Sequence, residues 1–136
     1  ENDFQYLLDA LAKYPFDRAG FFAYSAEPNT KASILQDQIS EQIKQERLQI
    51  AYQTQKAISN ELNQLWIHQT LPALLETYDP IRRCFIGRTL REAPDIDPQV
   101  IIHASVRNPR QFCGEIHNII IEQADAYHIQ GKLLQS

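Results

Sequence analysis

The chain has 136 residues, of which 43% are hydrophobic and 22% charged, a composition typical of a folded globular protein and unlike that of a disordered one. Its formal net charge of −4 provides no overall attraction to nucleic acid or anionic lipid, and no apolar run approaches the roughly 20 residues of a membrane span. Two cysteines without a CxxC spacing exclude a secreted disulfide framework and favour a reduced, cytoplasmic setting.

The first 36 residues read as a helix followed by a strand. Apolar side chains recur at helical spacing from Phe4 to Tyr14, and Pro15 ends this stripe. The run RAGFFAY at 18–24 predicts a buried strand, because it is small and aromatic on both faces. A helix that leads into a strand is the tail of a βα unit, which cannot stand alone. The chain also begins with Glu1 and contains no methionine, which indicates a piece of a longer protein.

A long helix is predicted from about 37 to 66, with Asp37 or Ser40 as its N-cap. Its length and position favour a connector between two segments of different pattern. A coiled-coil dimer is the weaker alternative, since the seam lacks regular leucines. The apolar seam consists of Ile39, Ile43, Ile50, Ile58, Leu62 and Leu65.

Beyond residue 66 the pattern changes to short strands that are separated by proline and Asx breaks. Five strands in some 70 residues favour a small, closed, antiparallel β-barrel of the OB type, so the expected fold class is α+β. The predicted strands cover about 67–78, 83–90, 99–105, 115–123 and 126–134.

The break between the second and third strands, APDIDP at 93–98, carries two carboxylates between two prolines. The prolines exclude a helix, and in an extended segment Asp95 and Asp97 share one face while Ile96 points to the other. This arrangement suits an anchored loop that offers negative charge to a partner. A solvated turn without a partner is the alternative.

Arginines are concentrated in the barrel region. The segment between Pro80 and Gly114 contains six arginines and three acidic residues. Residues 1–66, in contrast, contain six basic and nine acidic side chains. Arginine pairs bidentately with phosphate or carboxylate, so a local surface for an anionic partner is a second interpretation. The six are Arg82, Arg83, Arg88, Arg91, Arg107 and Arg110.

Four segments, in order, resemble the radical-SAM methylthiotransferase family. FDRAGFFAYSAEPNTKAS at 16–33 is similar to the end of its catalytic barrel, and LQDQISEQIKQERLQIAYQTQKAIS at 35–59 to its linker helix. GRTLREAPDIDPQV at 87–100 and EQADAYHIQGKL at 122–133 resemble elements of its C-terminal TRAM domain. The acidic third segment is similar to the RimO branch, which modifies a small-subunit ribosomal protein. The tRNA-modifying MiaB branch and a stand-alone RNA-binding TRAM module are the alternatives.

Two departures from the family pattern concern loops of the barrel. Pro98-Gln99 replaces the glycine that usually follows the second aspartate, and residues 108–115 replace a PGD turn before the fourth strand. The contacts made by these two loops are therefore the least transferable part of the resemblance.

The resemblance implies three segments: the end of a radical-SAM barrel at 1–36, a linker helix at 37–66 and a TRAM-like barrel at 67–136. It also implies an enzyme that adds a methylthio group to the β-carbon of an aspartate, using two 4Fe–4S clusters and S-adenosylmethionine. Each cluster needs at least three thiolates in this family, and this chain has only Cys84 and Cys113. The catalytic residues are thus expected upstream, and this chain alone is expected to bind no cofactor and to be inactive.

In this reading the barrel recruits the substrate, and the expected partner is a small-subunit ribosomal protein, with RNA contact as the alternative. A cytoplasmic monomer without membrane contact is expected. Spacing does not favour a zinc site among the cysteines and histidines, and no catalytic or metal-binding residue is expected in the chain. The expected substrate-binding residues are Arg88, Arg91, Glu92, Asp95 and Asp97.

Overall fold

The computed structural model describes residues 2–134, and the chain divides into two compact units between Ile58 and Ser59. Residues 1, 135 and 136, which end two of the segments expected from the sequence, lie outside the described residues. The division into 1–36, 37–66 and 67–136 stays a prediction.

Helix α1 (Asn2–Lys13) and most of helix α2 (Glu41–Gln64) belong to the first unit. Both helices confirm the periodicity of the sequence. Ser40 is the N-cap of α2, because its Oγ accepts a hydrogen bond from the amide of Ile43 (3.4 Å) while its carbonyl accepts one from the amide of Lys44 (3.0 Å).

Residues 18–24 form neither helix nor strand, which corrects the predicted buried strand. A strand requires a hydrogen-bonded neighbour, and none is present among residues 2–134. Side chains of α2 bind its carbonyls instead: the Tyr52 hydroxyl donates to Phe21 O (2.7 Å) and Lys44 Nζ donates to Tyr24 O (2.8 Å). Phe22 is 93% exposed.

The second unit contains a closed five-stranded barrel with the strand order β1-β2-β3-β5-β4, which confirms the expected α+β, OB-like architecture. Four neighbouring pairs are antiparallel and the β3–β5 pair is parallel, so the expectation of a wholly antiparallel barrel is corrected. The reason lies in the connection: β4 intervenes between β3 and β5 and reverses the chain twice. The bounds are β1 Thr70–Asp79, β2 Cys84–Arg88, β3 Val100–His103, β4 Ile116–Ala124 and β5 Ile129–Leu133.

The barrel interior is filled by the inward-facing side chains of alternate strand positions. Full burial of a large aliphatic or aromatic side chain contributes about 1.5–3 kcal/mol relative to exposure, so this core is the main source of stability in the second unit. The largest buried side chains are Phe85, Leu75, Ile102, Ile119, Ile121 and Val100.

The strand pairings give the barrel two distinct ends. At the end where β1 begins lie the last residues of α2, loop 89–99 and turn 125–128, and we call this the helix end. At the opposite end lie turn 80–83 and the start of connection 104–115. Because this end carries Arg82, Arg83, Arg107 and Arg110, we call it the arginine end.

Gly87 is required where β1 and β2 approach closely. A Cβ at this position would lie 2.2 Å from the backbone oxygen of Leu74. We expect Gly87→Ala to lower the free energy of unfolding by about 1–3 kcal/mol, because backbone atoms must shift to accommodate it. Urea denaturation followed by the fluorescence of Trp66, the single tryptophan, measures this loss.

Gly20→Ala is the matched control, since no atom lies within 4 Å of a Cβ placed there. Equal urea midpoints for the two variants would contradict the close approach at Gly87.

Candidate binding surfaces of the barrel

Loop 89–99 forms a compact turn at the helix end. The amides of Ile96 (3.4 Å) and Asp97 (3.1 Å) both donate to the carbonyl of Ala93, and Asp95 adopts a left-handed backbone with φ of 61°. The expected extended geometry, with the two aspartates on one face and Ile96 on the other, is therefore corrected. Ile96 is 83% exposed. Aspartate and asparagine tolerate the left-handed region better than most residues, which explains why Asp95 can occupy this position.

The three carboxylates of the loop have different environments. Glu92 is only 5% exposed, and its Oε2 accepts hydrogen bonds from the amide (2.8 Å) and the hydroxyl (2.7 Å) of Thr89. Asp97 Oδ2 accepts from the amide of Ala93 (2.8 Å) and so closes the turn. Asp95 is exposed and has no partner among residues 2–134. Glu92 and Asp97 thus build the loop, and Asp95 presents charge to solvent.

The two arginines expected at this site are engaged within the barrel. Arg88 Nη1 forms an ion pair with Glu76 Oε1 (2.7 Å) on the outer face of β1 and β2. The Arg91 guanidinium lies over the ring of Trp66, 4.5 Å from its centroid, and its Nη2 donates to Asn63 Oδ1 (3.3 Å). The structure therefore gathers all five expected residues near loop 89–99, with different environments.

Sequence reasoning missed the residues that hold this loop. Thr89 and Glu92 have the T-x-x-E spacing of a capping box, a signal that could have identified their hydrogen bonds. Asn63 is 1% exposed and its Nδ2 donates to the carbonyl of Asp125 (2.8 Å). An asparagine near the end of a polar helix gives no sequence signal for such a contact.

The arginine end carries a groove of about 760 Å³ beside β1. Arg107 and Arg110 line it together with Tyr78 and Glu76, and neither arginine forms an ion pair among residues 2–134. Arg82 lies nearby and pairs with Asp79 at 3.7 Å. The arginine end therefore presents exposed arginines without acidic partners among the described residues, and the helix end presents the exposed carboxylate of Asp95.

The cysteines and histidines have different environments. Cys84 is buried in the barrel, and burial, followed by the charge of Asp79, raises the pKa of its thiol. His117 pairs with Glu115 at 3.0 Å. Across residues 2–134, no three His, Cys, Asp or Glu side chains are placed to hold a metal ion.

Within the described part of the chain, no helix combines the length and the apolar character that crossing a bilayer requires.

Comparison with known proteins gives a family model and a set of relatives. The model of the TRAM domain matches residues 67–134. A "Ribosomal protein uS12 methylthiotransferase RimO" from Heliobacterium modesticaldum is 39% identical over 134 residues, which is 98% of this chain and 28% of the relative. Proteins of the same name from Proteus mirabilis (37% over 138 residues, 99% and 29%) and Vibrio cholerae (37% over 134 residues, 98% and 27%) also match.

The chain therefore spans less than a third of the length of these relatives and aligns with their C-terminal region. The resemblance to the RimO branch, inferred from four segments, is confirmed.

The hydrogen bonds of Asp125 predict that the helix end loses stability in acid. Its carboxylate accepts hydrogen bonds from the amides of Tyr127 (2.7 Å) and His128 (2.8 Å), and these bonds hold the pKa of Asp125 below its ordinary value of 3.8. A carboxyl whose pKa is lowered by folding stabilises the fold above its unfolded pKa and loses that effect as the pH falls through the folded one. We expect Asp125→Ala to be less stable than wild type at pH 7, with the difference closing below about pH 3.8.

Urea denaturation between pH 7 and pH 2 measures this difference. Glu122→Gln, which removes an exposed carboxylate from β4, is the control. A stability difference for Asp125→Ala that stays constant over this range would contradict the assignment.

Proposed function

The chain belongs to the TRAM domain family through residues 67–134, and from this premise we propose that it is the substrate-recruiting region of a ribosomal protein methylthiotransferase. The observation that carries the proposal is the match, over nearly the whole chain, to relatives named for that activity. In the proposed role the barrel binds the substrate protein and delivers it to a catalytic region outside this chain.

The helix end supports this role by its charge and its construction. Asp95 is exposed on a turn that internal hydrogen bonds of Asp97 and Glu92 hold in place. Ribosomal proteins are basic, so an acidic turn of fixed shape attracts such a partner and raises the rate of encounter. Arg88 and Arg91, expected from the sequence as substrate-binding residues, remain part of the proposed surface, where they make contacts within the barrel.

The proposed reaction adds a methylthio group to the β-carbon of an aspartate in the small-subunit ribosomal protein. Two 4Fe–4S clusters and S-adenosylmethionine would supply the radical chemistry, the sulfur and the methyl group. The residues of this chain do not fit either cluster, because each cluster needs at least three thiolates and the chain offers only Cys84, which is buried, and Cys113. The proposal therefore assigns these cofactors to residues outside the chain, and the chain itself contributes binding.

Two further properties follow from the same proposal. A ribosomal substrate places the protein in the cytoplasm. A single barrel with one acidic end meets its partner without needing a second copy, so the proposed state is a monomer.

Asp95→Asn tests the acidic turn directly. Asparagine accepts the left-handed backbone of Asp95, so the substitution removes the charge and preserves the shape. With purified uS12 as the partner, we expect the association rate to fall about two- to fivefold at low salt. The difference is expected to disappear at high salt, because screening removes the attraction. Stopped-flow or surface-based kinetics at several salt concentrations measure both effects.

Glu115→Gln removes one exposed negative charge from the opposite, arginine end of the same barrel and is the matched control. An association rate that is unchanged by Asp95→Asn, or changed equally by both variants, would contradict the acidic-turn proposal.

RNA binding at the arginine end is a second candidate function. The specific observation is the groove that Arg107 and Arg110 line without acidic partners among the described residues. Arginines in such a groove bind phosphates, and the affinity of that contact depends steeply on salt.

We expect the double variant Arg107→Gln and Arg110→Gln to reduce the salt dependence of RNA binding. If both arginines contact phosphate, the slope of log affinity against log salt falls by about 1.4. Filter binding of tRNA and ribosomal RNA measures the slope, and Lys31→Gln, outside the barrel, is the control. A wild-type slope near zero would exclude this candidate.

A further inference from the structure

We infer that Arg91 is a positioning residue that locks the Asp95 turn to the end of helix α2, and that it does not contact the substrate. The inference rests on the proposed function only for its binding test. Its structural test stands on the barrel alone.

Arg91 contacts residues at the end of helix α2 and directly after it. The guanidinium lies 4.5 Å from the centroid of the Trp66 ring, and Nη2 donates to Asn63 Oδ1 at 3.3 Å. Asn63 is 1% exposed and also donates to the carbonyl of Asp125 at 2.8 Å. One buried asparagine therefore joins loop 89–99 and turn 125–128 to the same helix end.

Hydrogen bonds also connect the backbone at Arg91 with the turn that carries Asp95. The amide of Arg91 donates to Thr89 Oγ1 (3.2 Å), and this hydroxyl donates to Glu92 Oε2 (2.7 Å). The next residue, Ala93, anchors the turn at both of its backbone groups. Its amide donates to Asp97 Oδ2 and its carbonyl accepts from the amide of Asp97. A series of contacts thus runs from Asn63 to Ala93 and Asp97, which lie two positions before and two positions after Asp95.

The positive charge of Arg91 does not suit a contact with a basic partner. Arg91 places a positive charge beside a turn whose proposed partner is basic, so its charge opposes that binding. Its planar guanidinium, however, can stack on an indole and donate in a fixed direction at the same time, which lysine cannot do. The chemistry of the contacts therefore favours a role in geometry over a role in attraction.

Hydrogen exchange gives the structural test. In Arg91→Lys, which keeps the charge and loses the planar group, we expect the amides of Ala93, Ile96 and Asp97 to exchange about two- to fivefold faster than in wild type. The same change is expected in Arg91→Gln, together with a shift in Trp66 fluorescence. Lys132→Gln, which removes the charge at the exposed position of β5, is the control and should change neither readout. Exchange at these amides equal to the control in both variants would overturn the inference.

The direction in which the affinity for purified uS12 changes provides a second test. If only charge matters, Arg91→Gln binds the basic protein more tightly than wild type, because a repulsive charge is gone. If Arg91 positions the turn, both Arg91→Gln and Arg91→Lys bind more weakly. Tighter binding by Arg91→Gln, or unchanged binding by Arg91→Lys, would overturn the inference.

The two tests separate this inference from the proposed function. Failure of the wild-type chain to bind uS12 would refute the proposed partner, while the exchange rates would still decide the role of Arg91. Should Arg91→Gln fail to fold, Arg91→Lys alone carries both measurements.

Discussion

The parallel pairing of β3 with β5 closes the sheet, and the other features of the barrel depend on this closure. Four residue pairs, from Val100 with Ile129 to His103 with Lys132, join strands that are separated by β4 in the sequence. Closure removes the open edges that a short sheet would otherwise expose, and it encloses the apolar side chains of all five strands. It also fixes which loops share an end.

The separation of charge follows from that arrangement. Loop 89–99 and turn 125–128 lie with the end of α2, and the turn of the loop presents Asp95. Arg107 and Arg110 lie at the opposite end, beside a groove. Although the six arginines and three acidic residues of this region are mixed along the sequence, the fold places their exposed members apart. One small barrel therefore offers two surfaces, one suited to a basic protein and one suited to an anionic polymer.

Much of the fold could be predicted from the sequence, because local patterns determine it. Proline and Asx breaks located all five strands, and helical periodicity located α1 and α2. Residues 18–24 were predicted wrongly because a strand depends on a neighbour, which no local pattern supplies. The extended reading of the acidic turn failed for a related reason, since the left-handed backbone of Asp95 and the hydrogen bond to Ala93 are set within the folded loop.

The sequence predicted where the candidate site lies, but it did not predict the contacts that its residues make. The sequence drew attention to the acidic turn and its arginines, and the structure brings those residues together. It could not show that Glu92 is buried or that Arg91 stacks on Trp66, because these contacts join residues that are distant in sequence or concealed in an irregular loop. Only the T-x-x-E spacing of Thr89 and Glu92 hinted at the internal hydrogen bonds.

The central claim is that the helix end of the barrel, through its acidic turn, meets a basic ribosomal protein. Titration of the isotopically labelled chain with purified uS12, followed by amide chemical shifts, tests it most directly. The account predicts that the largest shifts fall on residues 89–99 and weaken as salt is added. Shifts confined to the groove of Arg107 and Arg110, or no shifts at any uS12 concentration, would contradict it.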